Sequence, residues 1–94
     1  MSLFYLNLCS GTEFVEDQEG IDLLDYAAAY HLALESLRGV MAGDLLTGEL
    51  NTATFVEIED EHHSLLQTVF FDEAVSVREE LPANGTRKQR LRVV

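Results

Sequence analysis

Cysteine, proline and tryptophan are nearly missing from this chain, which holds one Cys, one Pro and no Trp in 94 residues. The lone thiol, Cys9, excludes a disulfide within the chain and fits a reducing compartment. No stretch approaches the roughly 20 consecutive apolar residues that a membrane-spanning helix needs. Met1, Ser2, Leu3 and Phe4 supply neither a basic leader region nor a small-residue cleavage site. A secretory signal is therefore not expected, and the cytoplasm is the expected location. Basic residues are scarce as well. Residues 1–77 carry fifteen carboxylates against a single cation, Arg38, for a net −14. Residues 78–94 set Arg78, Arg87, Lys88, Arg90 and Arg92 against Glu79 and Glu80, for +3. A body that negative repels phosphate backbones and anionic membranes, so neither nucleic acid nor a membrane is an expected partner.

Catalytic signatures are lacking too. Cys9, Ser10, Ser36, Ser64 and Ser76 are nucleophiles by type, but none stands in a nucleophile elbow or a catalytic-cysteine context. No glycine-rich phosphate loop is present, because Gly39 and Gly43 fall inside a helical pattern. Function has to be argued from a site. The expectation is a protein that is not an enzyme and takes no cofactor.

What the chain does have is a 47% share of apolar residues, enough for one thin core. Residues 3–9 are rich in β-formers, Ser10 and Gly11 signal a turn, and residues 12–16 read as a returning strand. Asp17, Gln18, Glu19 and Gly20 break that run. Asp25 is a suitable N-cap for a long helical pattern, and Gly48 a suitable stop, which predicts a helix from about 26 to about 46. At 100° per residue, Tyr26, Ala29, Tyr30, Ala33, Leu37, Val40 and Met41 share one stripe. Residues 52–59 and 65–71 read as two further strands around a polar turn, and residues 72–75 as one helical turn. The predicted fold class is α+β, a four-stranded antiparallel sheet in ββαββ order with one long helix packed on one face. This acidic domain spans 1–77. Residues 78–94, with Pro82, Asn84 and Gly85 ahead of the basic cluster, read as a basic C-terminal tail or linker. The end of the tail, Leu91, Arg92, Val93 and Val94, could add a strand to a sheet edge, and its cations could pair with an acidic surface.

The pattern resembles a family of small bacterial proteins classified as a domain of unknown function. The likeness lies in residues 5–8, Gly11, residues 16–20, and Leu24 and Asp25 followed by Ala27, Ala28 and Ala29. It continues through Asp44, Leu45, Gly48, residues 57–60 and residues 71–75. The order and spacing of these features carry the resemblance, over about residues 4–77. It implies no reaction and no catalytic residues. Where the family usually has an Asp-Gly turn, this chain has Glu61, His62, His63 and Ser64, so a histidine-based role would belong to this member.

His62 and His63, with Asp60 and Glu61, form the nearest approach to a metal site. Zinc ligands must converge on one point, and adjacent residues of an extended chain point to opposite sides. A solvated hairpin turn is the favoured reading, with His62, His63 and Asp60 as the metal candidates set against it. The acidic residues 16–22 have the composition of a calcium loop but lack its alternating ligands and its distal bidentate glutamate. They read as a solvated turn before the helix.

A partner is suggested by apolar residues on both sides of the sheet. Phe4, Leu6 and Leu8 point one way while Leu3, Tyr5 and Cys9 point the other, and Leu66 and Phe70 are set against Leu65, Val69 and Phe71. A sheet wetted on one side normally alternates cleanly between apolar and polar residues. A second helical stripe, Ala28, Leu32, Ser36, Gly39, Gly43 and Leu46, contains two glycines that each cost about 1 kcal/mol relative to alanine. The expected function is a small non-enzymatic protein–protein interaction module, self-associating as a homodimer. The alternatives are a metal-dependent binder or enzyme at the His62/His63 hairpin, and a nucleic-acid-associated regulator acting through the tail.

Overall fold

A run rich in β-forming side chains, apolar on both faces, builds the central strand of the sheet, β1 (Ser2–Ser10). Gly11, at φ 62°, turns the chain back into β2 (Glu13–Val15). The chain then leaves the ladder and returns to it as β3 (Ile21–Leu23). Helix α1 (Tyr26–Thr47) follows, then β4 (Phe55–Glu59), β5 (Leu65–Phe70) and the single turn α2 (Phe71–Ala74). These elements come from a computed structural model, which describes residues 1–76 and Arg78. The basic cluster and the expected edge strand at residues 91–94 lie outside the described residues.

The fold is α+β, an antiparallel sheet with one long helix, as the sequence predicts. The sheet has five strands rather than four, in the order β2-β1-β4-β5 with β3 also on β1. The additional strand arises because the returning strand is split. Leu8 pairs with Val15, and Phe4 with Ile21. Residues 16–20 therefore stand opposite residues 5–7, two more than a regular ladder accommodates, and the excess bulges out.

Asp17 stands in for the missing ladder bonds. Its Oδ2 accepts the backbone N–H of Leu6 at 3.2 Å, and its Oδ1 accepts that of Gly20 at 3.0 Å. Its own N–H donates to Asn7 Oδ1 at 2.9 Å. Asn7 is thereby satisfied at 2% exposure, which an unpaired amide would make costly. Gly20, at φ 74°, has the side chains of Leu3 and Tyr5 at 2.8 and 3.0 Å from where a Cβ would stand. The conformation and the lack of space both call for glycine here.

Local signals set the ends of α1. Asp25 accepts the N–H of Ala28 at 2.9 Å, and Gly48, at φ 88°, closes the last turn through bonds to the carbonyls of Asp44 and Leu45. The helix buries Ala29, Ala33, Leu34, Leu37 and Met41. Leu34 widens the predicted stripe, while Tyr26 and Val40 lie on its margin. The core forms where these residues meet Phe4, Val56, Ile58 and Val69 of the sheet.

Polar ties hold the helix to the end of the sheet. Tyr26 donates its hydroxyl to Gln67, and Tyr30 donates to Glu73 Oε1 at 3.0 Å. The other oxygen of Glu73 accepts the N–H of Phe70 at 2.9 Å, and Arg38 Nε donates to the carbonyl of Ala74 at 2.7 Å. Bonding to Glu73 pushes the Tyr30 phenol above its ordinary value. Among the described residues no helix is long and apolar enough to cross a membrane.

Candidate interaction surface

The hairpin between β4 and β5 places the sequence-derived metal candidates. Asp60 Oδ1 accepts the N–H groups of His62 at 2.8 Å and of Ser64 at 2.9 Å, and its backbone closes the turn with His63 and Ser64. His63 adopts φ 62°, a left-handed conformation uncommon outside glycine, though histidine takes it more readily than most residues. It is supported on two sides. Its Nδ1 lies 3.1 Å from Glu59 Oε1, and its ring stacks on Tyr5 with centroids 4.1 Å apart. His62 faces Glu61 instead, at 3.5 Å, out in solvent. The two imidazoles are thus directed to different carboxylates, and no group of three or more His, Cys, Asp or Glu among the described residues is arranged to hold a metal ion.

The N–H of Ser64, and after it that of His62 together with the two imidazoles, hold the Asp60 carboxyl below its ordinary value of 3.8 despite some opposing desolvation. A group with a lowered folded pKa stabilises the fold fully above its unfolded value, and that contribution is lost as pH falls through the folded one. We expect the Asp60 side-chain carbon to titrate by NMR with a midpoint below that of an unstructured aspartate. A midpoint at or above 3.8 would contradict the hydrogen-bonded turn.

The other candidates are similarly accounted for. Cys9 is half-buried, and burial together with the Glu57 carboxylate pushes its thiol above the ordinary value, which leaves little thiolate at neutral pH. The third histidine of the chain, His31, lies exposed on α1 with its ring at an edge to Tyr30, whereas Cys9 is on the sheet face away from the helix. Of the acidic residues 16–22, Asp17 is committed to backbone N–H groups rather than free for a cation. A polar depression of about 550 Å³ opens between Ser10, Asn51 and the end of α1. Asp44, on its wall, accepts the N–H of Asn51 at 3.1 Å.

What remains is the sheet face opposite the helix. Strand register places Phe14, Cys9, Phe55 and Phe70 in one row across β2, β1, β4 and β5. Val56 and Val69 point into the core, so the row one residue away faces outward. Phe14 is 56% exposed and Phe70 50%, and Phe55 meets Phe70 with ring centroids 5.8 Å apart. The next row, Asn7, Glu57 and Thr68, is polar.

Two corrections to simple alternation follow. Leu3 and Tyr5 do point away from the helix, but residues 16–20 cover them through Gly20, and His63 stacks on Tyr5. Leu65 stands opposite Glu59, on the outer face, because the register shifts at Ile58 and Glu59. Alternation from Val69 would have put it inside. On α1, Gly39 and Gly43 face outward, and beyond their own stretch of helix no atom of the described residues lies within 4 Å of either notional Cβ.

The sheet edges differ in charge. From β2 to β3 the outer edge carries Glu13, Glu16, Glu19 and Asp22, whereas β5 at the other edge holds no charged side chain. The aromatic row could have been found in the sequence only by pairing strands correctly, since Phe14, Phe55 and Phe70 are far apart along the chain.

No curated protein and no solved structure matches the chain. The family model for a domain of unknown function, DUF6894, matches residues 3–72, and the chain belongs to that family.

Proposed function

We propose that this domain is a non-catalytic protein–protein interaction module that works by associating with copies of itself. The observation that carries this reading is the row Phe14, Phe55 and Phe70, left on the sheet face that the single helix does not cover. Aromatic side chains of this size contribute strongly to association when a partner removes them from water. The titratable side chains support the same reading. Asp17, Asp60, His63 and Glu73 are engaged in holding turns and elements together. A reducing, cytoplasmic setting suits the free Cys9 thiol.

Light scattering on the purified chain at tens of micromolar is expected to give the mass of a dimer. A monomer at that concentration would count decisively against the reading. Phe14→Ser combined with Phe70→Ser is expected to leave the fold intact by circular dichroism, since both side chains are half-exposed.

A further inference from the structure

The two edges of the sheet are treated differently, and the difference bears on how a second molecule can approach. Edge strands offer unpaired backbone groups to any extended chain, and charged side chains are a common means of blocking them. The β2–β3 edge is blocked in this way by Glu13, Glu16, Glu19 and Asp22. The β5 edge reads Leu65, Leu66, Gln67, Thr68, Val69 and Phe70, and no other strand among the described residues pairs with its outer side. In a chain of net charge −11, this is an edge on which two copies can meet without setting carboxylate against carboxylate.

The backbone alternation shows which groups are offered. Leu6 turns its N–H away from β4, toward Asp17. In an antiparallel ladder the bonded pairs alternate, so Tyr5, Asn7 and Cys9 bond to β4, and Val56 and Ile58 bond to Val69 and Gln67 of β5. The N–H and C=O of Thr68 are left on the outer edge. The N–H of Phe70 also points outward and is taken by Glu73.

We infer that a second copy of this chain pairs with the β5 edge in antiparallel fashion about a two-fold axis at Thr68, joining the two sheets into one. The inference rests on the self-association reading above and adds an edge to it, since this pairing leaves Phe14 and Phe55 on the open face of the joined sheet. A two-fold axis normal to a sheet keeps each residue on its own face, so strands related by it must pair residues whose numbers differ by an even step. Centring on Thr68 satisfies this. It brings each Thr68 N–H to the other Thr68 carbonyl and sets Leu66, 46% exposed, opposite Phe70 of the second copy. The strand matches itself in this register, with threonine at the centre and an apolar residue two positions away on either side. Threonine pairs are favoured across antiparallel strands, and Leu66 against Phe70 sets apolar side chain beside apolar side chain. The row Phe14, Cys9, Phe55 and Phe70 then runs on toward Leu66 of the second copy.

Thr68→Lys tests the geometry in the full chain. Within one molecule the new lysine lies beside Glu57, its neighbour on β4, so folding is retained. In the dimer two lysines would face one another at the axis, and the dimer is expected to weaken by about fivefold to tenfold. Thr68→Glu is expected to weaken it likewise, and mixing the two variants is expected to restore a dimer, because the axis then sets lysine against glutamate. A Thr68→Lys dimer of unchanged affinity, or a mixture of folded variants that stays monomeric, would overturn the pairing while leaving self-association standing. An unaltered chain that is monomeric would remove both. Amide hydrogen exchange on the unaltered chain gives a second readout that does not depend on variants folding. Protection at Thr68 that rises with protein concentration supports the pairing. Protection independent of concentration overturns it.

Discussion

Replacing Leu37 with alanine is expected to lower the unfolding free energy by about 3 kcal/mol, read as a shift in the urea midpoint with unchanged slope. Leu37 is fully buried, at 0% exposure, in the middle of the helical face that meets the sheet. Truncation there removes apolar area and leaves a cavity that the surrounding helix and strands cannot fully close. For a domain of this size, stable by about 5–14 kcal/mol, that is a large share of the total. Leu46 is a control of the same chemistry on the same helix. It is 90% exposed, and Leu46→Ala is expected to change stability by no more than about 0.5 kcal/mol. A Leu37 variant as stable as the Leu46 variant would mean that the helix does not pack on the sheet as described.

The second large effect is expected at a charged residue. Asp17→Ala removes the acceptor for the N–H groups of Leu6 and Gly20 and leaves Asn7 bonded to a segment that is no longer held. Hydrogen bonds to a charged acceptor contribute about 1.5–3 kcal/mol each, and solvent reaching a part-buried bulge replaces some of that. A loss of about 2 kcal/mol in unfolding experiments is the expected result. Glu16→Ala, one residue earlier and exposed, is expected to be nearly silent. The contrast separates a specific brace from the general relief of negative charge, which would make both substitutions stabilising. Hydrogen exchange adds a local signature, since the Leu6 amide is expected to lose protection in the Asp17 variant while that of Ile58 keeps it.

The same residue shows where sequence reading stops. Gly20 and Asp17 were legible as a break in a strand, because a glycine and a run of carboxylates disfavour a regular ladder. That the chain then rejoins the same strand as β3 depends on Asp17 reaching Leu6, a contact between residues eleven apart. Nothing in the local composition encodes that reach. The helix was more legible. Asp25 and Gly48 act on backbone groups three or four residues away, and both ends of α1 fell within a residue or so of expectation. Its buried face followed from the helical period, with Leu34 as an addition at the margin.

The hairpin at His63 divides in the same way. Its turn character was visible in Asp60, Glu61 and Ser64. The stacking on Tyr5 was not, because β1 and the hairpin come together only when β1 pairs with β4. The interaction surface was half legible. Apolar residues on both sides of β1 and β5 pointed to an uncovered face. Which of them stay exposed depended on the bulge over Leu3 and Tyr5, the register shift at Glu59, and the alignment of Phe14, Phe55 and Phe70 into one row.

The amino-acid sequence by itself determined the fold class, the limits of the helix, its buried stripe and the acidic character of the body. These depend on short-range periodicity, capping and charge, which act within a few residues. Tertiary structure alone decided the split returning strand, the partners of Asp17 and His63, the row of exposed aromatic rings and the contrast between a blocked and an open sheet edge. Each of these depends on strand register. A register shift of one residue exchanges the two faces of a strand without changing a letter of the sequence.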